Sequence, residues 1–484
     1  MTYTSASYLV LVIATFLLYY ALPMRFRWLA LTLGSSFFWV IASQYDLRMI
    51  TVFLASILCS YLFGLVLAKM DAGRKKKLCL ASAIALSAAP LIVSKLGALF
   101  ANITHRSASI SWIVPLGLSF YTMQMIAYLV DIYRGQTAAE KNVLKYYLFI
   151  SFFPQLIQGP IPRWNKLSSQ LLEGHAYTSK NLSGGIQLIL WGFFLKYMIA
   201  DKAAAFINPV FASPRSHTGS LMLVAVVLYS LQLYCDFMSC VSLSRGSAQL
   251  FGISLENNFS RPYFATSIKD FWRRWHISFS SWLRDYIYIP LGGNRKGRLR
   301  KYLNILITFL VSGLWHGANL NFIIWGAIHG CYQIFGELTS HIREKLYRFF
   351  HIDTTTVSYV LLKRFFTFAL VCVGWIFFRA SSLSDGLYIL SRILLRFDIA
   401  SLFTGGLYRV GLSRNEWTVL LISIAALAAV SHQQEKDHTS IRERFQQQPT
   451  IIRWIVYWAV ICFIIVYGTY GWGYSVQDFI YGGF

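Results

Sequence analysis

The chain has 484 residues, of which 56% are hydrophobic and only 13% charged, with a mean hydropathy of +0.50. That balance excludes an ordinary soluble enzyme, in which about a quarter of residues are charged. It also excludes a membrane β-barrel, because the apolar runs are continuous rather than alternating. The formal net charge of +24 sits in short loops between those runs, so it reads as a topology signal and not as a nucleic-acid surface.

In chain order, apolar runs occupy 7–23, 28–43, 49–68, 78–94, 110–130, 184–200, 218–235, 303–314, 320–336, 357–378, 416–430 and 451–468. About 20 apolar residues cross a bilayer as a helix, so the expected fold class is an all-α polytopic membrane protein. Residues 1–7 carry no positive charge, so the first run is expected to remain as a helix and not to leave as a signal peptide. Arg25 and Arg27 follow the first run, and Arg74, Lys75, Lys76 and Lys77 follow the third. Positive loops stay cytoplasmic, which places the N-terminus outside. The loop after the second run holds only Asp46 and Arg48 as charges, in agreement. Arg295, Lys296, Arg298, Arg300 and Lys301 form a further cluster expected on the cytoplasmic face, where anionic head groups favour it.

Between the runs, 152–163 (FFPQLIQGPIPR) is apolar but interrupted by Pro154, Gly159, Pro160 and Pro162. It suits a re-entrant or interfacial segment, tolerated where protein or water satisfies the backbone. Asp236, at the end of an apolar run, is rare enough there to imply a salt bridge or a histidine-orienting hydrogen bond. The polar stretch 431–450 is expected to be a solvated loop. Cys59, Cys79, Cys235, Cys240, Cys331, Cys372 and Cys462 lie in or beside apolar runs without a C-x-x-C pair. Most are expected to be buried packing residues, with neither a disulfide framework nor a zinc site supported and no metal assigned. No repeat is visible, and a single membrane domain over 1–484 is expected.

The segment 270–330 concentrates the chemistry. Trp272, Trp275, Phe279, Trp282 and Tyr286 follow offsets 0, 3, 7, 10 and 14, one stripe of a helix. An interfacial helix with this aromatic face in the bilayer and Arg273, Arg274 and Arg284 toward head groups is the expected architecture. His276 follows Trp275 and borders whatever lies beneath it. The stretch from Tyr302 to Gly336 contains no Asp, Glu, Lys or Arg and is too long for one straight crossing. Gly313, Gly317, Asn319 and Asn321 mark where it bends. Between Lys301 and His316 the helical path is about 22 Å, so His316 is expected well inside the membrane. By position it is either a packed core residue or a proton-transfer group.

The blocks FWRRWHISFSSWLRDYIYIPLGGNRKG (271–297) and SGLWHG (312–317) resemble the membrane-bound O-acyltransferases, in particular the bacterial alginate and peptidoglycan O-acetylation branch. VPLGLSFYTMQMIAYLVDIYRG (114–135), FFPQLIQGPI (152–161), LQLYCDFMS (231–239), ENNFSRPYFATSIKDFW (256–272), VGWIFFRA (373–380) and FIYGGF (479–484) match in order, so the likeness covers nearly the whole chain. The resemblance implies about eleven transmembrane helices with re-entrant or interfacial helices around a central tunnel, and a catalytic core over about 114–335.

It also implies that His316 is the catalytic histidine and that His276, in the upstream block, is the second catalytic position. Trp272, Arg273, Trp275, Asp236, Trp315 and Asn319 are the expected substrate-binding residues. His329 lies about 220° from His316 around an ideal helix and reads as structural. No bound cofactor is implied. An acyl thioester, acetyl-coenzyme A or a carrier-protein thioester, enters as substrate at the cytoplasmic face. Arg273, Arg274 or the 295–301 cluster can attract its phosphates, although loop cations serve equally well as topology signals. The expected partners are membrane lipid, a polysaccharide acceptor and an extracytoplasmic serine-nucleophile acyltransferase, in a bacterial cytoplasmic membrane. Two alternatives stay open: a D-alanyltransferase acting on teichoic acid, and a transporter of a lipid-linked sugar.

Overall fold

A computed structural model describes residues 1–104, 115–317, 319–437, 441–470 and 479, with the side chains of 96 and 98–104 left out. All regular structure among the described residues is helical. The start of the 110–130 run and all but Phe479 of the terminal FIYGGF block lie outside the described residues.

Contacts divide the chain into two compact units. The first comprises Met1–Gly192 with Cys240–Asn257. It holds α1 (Ala6–Ala21), α2 (Arg27–Ala42), α3 (Leu47–Lys69), α4 (Arg74–Thr104), α5 (Leu118–Tyr133), α6 (Val143–Ser151), α7 (Trp164–Leu172) and nearly all of α8 (Ser179–Phe193). Side-chain oxygens of Ser5, Asp46 and Asn142 cap α1, α3 and α6 by accepting from first-turn N–H groups. The proline-broken segment at 152–162 is irregular and buried. The backbone of Phe153 finds partners inside the protein: Tyr3 Oη donates to its carbonyl at 3.2 Å, and its N–H donates to Ser35 Oγ at 3.2 Å. Irregular backbone is tolerated in an apolar surround under that condition.

The second unit comprises Phe193–Ser239 and Asn258–Ile480. It begins with a π-helical stretch, Phe194–Ala200, continued by α9 (Asp201–Ala212) and the first two-thirds of α10 (Gly219–Leu250). Then follow α11 (Ile268–Arg274), α12 (Ile277–Leu283), α13 (Arg298–His316), α14 (Leu320–Leu338), α15 (Ser340–Phe349), α16 (Val357–Arg379), α17 (Leu383–Leu395), α18 (Ala400–Phe403), α19 (Arg414–Asp437), α20 (Ile441–Gln446) and α21 (Thr450–Tyr467).

Seven helical stretches among the described residues are long and apolar enough to cross a membrane: Leu47–Lys69, Arg74–Lys95, Ser179–Ala212, Gly219–Leu250, Val357–Arg379, Arg414–Asp437 and Thr450–Tyr467. The chain is a polytopic helical membrane protein, and the count of eleven crossings is not established by these helices. The apolar stretch 303–336 does turn back on itself after His316 to give the antiparallel pair α13 and α14. Their close approach needs glycine. A Cβ on Gly313 would lie 2.3 Å from the Phe322 carbonyl oxygen, and one on Gly326 would lie 2.4 Å from that of Phe309. Small residues let apolar helices pack backbone to backbone. Gly326→Leu is therefore expected to force α13 and α14 apart, costing about 1–3 kcal/mol or more and lowering the thermal midpoint of the detergent-solubilised protein. Gly336→Leu on the same helix, where a Cβ meets nothing within 4 Å, is expected to leave it near the starting value.

Three expectations are corrected. The aromatic stripe of 272–286 is not one helix: the chain breaks at Trp275–His276 between α11 and α12, and Arg284–Tyr288 winds as a π-helix. Nor does the stripe face lipid, because Trp272, Trp275, Phe279 and Trp282 are all buried in protein. The described residues of 431–450 are largely helical, as the last turns of α19 and as α20. Glu435 is the reason: its carboxylate pairs with Arg261 at 2.5 Å and Arg274 at 3.0 Å, which anchors the end of α19. The cysteines are all free, yet only Cys235, Cys240 and Cys372 are buried; Cys331 and Cys462 point outward.

Candidate active site

The site lies within the second unit, and its first component is a strained turn. His276 adopts φ 44° and ψ 56°, the left-handed region that costs a side-chain-bearing residue about 1–2 kcal/mol. The turn is held by Asn258, whose carbonyl accepts from the Ile277 N–H at 3.0 Å and whose Oδ1 accepts from the Ser278 N–H at 3.0 Å. Ser260 N–H donates to the Arg274 carbonyl at 2.9 Å. Non-glycine residues held in this conformation concentrate at functional sites. The turn delivers the His276 ring inward, 1% exposed, edge-on to Phe237 at 4.7 Å and beside Phe279 at 4.9 Å.

The second component is the end of α13. His316 is its last residue, 2% exposed. Among the described residues, five aromatic rings pack around it: Trp315 at 4.8 Å, Trp325 at 5.1 Å, Phe378 at 5.2 Å, Phe279 at 5.8 Å and Phe322 at 6.4 Å between ring centroids. Phe279 and Trp315, themselves 4.4 Å apart, touch both His276 and His316. The two catalytic candidates thus share one aromatic wall, although one stands at the start of α12 and the other at the end of α13.

His329 joins the same cluster from α14. Its Nδ1 accepts from Trp272 Nε1 at 3.3 Å, which leaves the ring proton on Nε2 in the neutral form. Its ring packs on Trp325 at 5.2 Å, so Trp325 touches both His316 and His329. A Cβ on Gly374 would sit 2.6 Å from Nε2, so α16 seats the imidazole closely. Trp272→Phe keeps the ring but removes the donor. It is expected to cost about 1 kcal/mol of stability, read as a lowered thermal midpoint, while Trp272→Ala costs about 3–5 kcal/mol.

The remaining sequence candidates fall in distinct places. Trp275 is buried against Phe271 at 5.4 Å and Trp375 at 5.1 Å, behind the His276 turn. Asp236 is buried and makes a salt bridge to Lys196 Nζ at 2.7 Å, with Asp201 3.0 Å from the same nitrogen. The residue after it, Phe237, is the ring against His276. Arg273 is exposed, and Asn319 is an exposed cap whose side chain accepts from the Asn321 N–H at 3.4 Å. Arg274 is engaged by Asp270 at 3.1 Å and Glu435 at 3.0 Å. Burial alone would lower its pKa; the hydrogen bonds and charges of those carboxylates outweigh that and raise it. Lys196, Trp325, Trp375 and Phe378 are neighbours of these candidates that the sequence does not single out. A lysine within the apolar run 184–200 is the available signal for the first.

Fold and site together define a class: a multi-span helical membrane protein with three buried histidines, His276, His316 and His329, among packed aromatic rings. The chain belongs to the membrane-bound O-acyltransferase family, whose model matches residues 137–383, and it is an acyltransferase. It is 33% identical over 431 residues to a probable alginate O-acetylase AlgI of Pseudomonas fluorescens, covering 88% of this chain and 82% of that protein. It is 33% identical over 406 residues to a peptidoglycan O-acetyltransferase of Helicobacter pylori, covering 78% and 75%. A teichoic acid D-alanyltransferase of Bacillus subtilis is 27% identical over 314 residues, covering 61% and 76%.

Proposed function

We propose that this chain moves an acetyl group from a cytoplasmic thioester, acetyl-coenzyme A or a carrier-protein thioester, to hydroxyl groups of an extracytoplasmic polysaccharide. The observation that carries this reading is His316, buried at the end of α13 and sharing the Phe279–Trp315 wall with His276. His316 takes the proton from the acceptor hydroxyl as its oxygen attacks the thioester carbonyl. The C–S bond breaks, the C–O bond forms, and the proton passes to the departing thiolate. His276 orients the acyl group or stabilises its oxygen. The first acceptor is the polymer itself or the serine of a separate extracytoplasmic protein that completes the transfer. A tunnel reaching both faces connects donor and acceptor, in a bacterial cytoplasmic membrane with the N-terminus outside.

Acetate fits this site better than D-alanine. The five described rings around His316 carry no charge, and the ammonium of an alanyl group would lose hydration against them. The greater likeness to the two O-acetylating relatives points the same way. The test is deletion of the gene followed by analysis of ester-linked acetate and ester-linked alanine on the extracytoplasmic polymers. Acetate esters are expected to disappear while alanine esters persist. Loss of alanine esters with acetate unchanged would overturn the assignment.

A further inference from the structure

The shell around His316 has two parts that contact different neighbours. Phe279 and Trp315 touch His276 as well as His316. Trp325, Phe322 and Phe378, from α14 and α16, instead tie His316 to the aromatic cluster behind it. Trp325 lies 5.9 Å from Trp375 and 5.2 Å from His329, and Phe378 lies 5.5 Å from Trp375 and 5.0 Å from Phe322. With the carbonyl oxygen toward His276 and the sulfur toward the donor's entry, a carbonyl carbon attacked beside His316 turns its alkyl end to this second part. We propose that Trp325, Phe322 and Phe378 are the acyl-length stop of the enzyme, restricting the transferred group to acetyl. The proposal rests on the acyl-transfer reading above and adds the residues that select the acyl chain.

Packing supports a stop and not an adaptable pocket. Trp325 is 1% exposed and nearly parallel to Trp375, with 17° between their planes. It is wedged further by His329, which Gly374 seats on α16 at a distance that admits no Cβ. Gly317 keeps Phe322 in place in the same manner, since a Cβ there would come within 2.5 Å of the Phe322 ring. Rings braced from behind cannot yield to an added methylene, and a well-packed apolar wall rejects extra volume. Each added methylene is expected to cost about tenfold or more in transfer rate.

The test uses the purified full-length protein in detergent with acetyl-, propionyl- and butyryl-coenzyme A and a soluble oligosaccharide or water as acceptor, following thiol release and subtracting the rate of His316→Ala. The wild type is expected to prefer acetyl, by about tenfold or more for each added methylene. Phe378→Leu and Phe322→Leu, which shorten the wall without emptying it, are each expected to narrow the acetyl-to-butyryl ratio about tenfold. The same ratio is measured with p-nitrophenyl acetate and butyrate. If the thioesters are not consumed but the esters show the predicted ratios, the donor assignment fails and the length stop stands. Equal use of acetyl and butyryl by the wild type, or an unchanged ratio in both folded variants, overturns the length stop.

Discussion

Lys196→Met is expected to destabilise the protein by about 3–5 kcal/mol, the cost of removing one partner from a buried ionic group. Lys196 and Asp236 have side chains only 3% exposed, and Asp201 is 12% exposed. One ammonium holds two carboxylates, and Phe479 covers its nitrogen at 4.6 Å from the ring centroid. Without the lysine, two acidic groups face each other in an apolar surround, and at least one must take up a proton or expose itself to water. Lys196 lies in the π-helical stretch before α9, and Asp236 lies on α10 beside the Phe237 ring that walls His276. Loosening this joint is expected to reduce transfer as well as stability. The triple variant Lys196→Met, Asp201→Asn, Asp236→Asn carries no stranded charge and is expected to recover most of the lost stability. Thermal unfolding in detergent checks both. A single variant that melts with the wild type would show that the triad contributes nothing.

How far the residues announce this arrangement depends on whether their partners are local. The turn between α13 and α14 is visible because Gly313, Gly317, Asn319 and Asn321 interrupt an uncharged run too long for one crossing. The burial of His316 follows from the same stretch. The break at His276 is not visible, because WRRWHISF reads as a continuous helix. It is imposed from well upstream by Asn258, whose carbonyl and side chain grip the turn from outside its own sequence window. The aromatic stripe reads as lipid-facing for a related reason. Periodicity identifies an apolar face but not whether lipid or protein covers it, and here Trp315, Trp325 and Trp375, distant in sequence, supply protein. Polar composition at 431–450 suggests a loop, and Glu435 makes it helix by finding Arg261 and Arg274 in a remote part of the chain. His276 and His316 are picked out as candidates by motif resemblance; the aromatic shell that packs around them is not.

The effect of largest size belongs to His316. It is buried among uncharged aromatic side chains, and none of the five described rings can take over the acceptor proton. Loss of a positioned general base costs about 100- to 10,000-fold in rate. His316→Ala removes the imidazole while leaving the five rings that pack around it, so the fold is expected to persist at somewhat reduced stability. His276→Ala is expected to cost less, because it affects acyl orientation and not proton removal. The most direct measurement is the ester-linked acetate on extracytoplasmic polymer in cells whose only copy is His316→Ala, with the amount of inserted protein matched to wild type. We predict that acetate stays at the level of cells lacking the gene. Acetylation at the wild-type level by inserted His316→Ala protein would contradict the assignment of His316 as the base of the transfer.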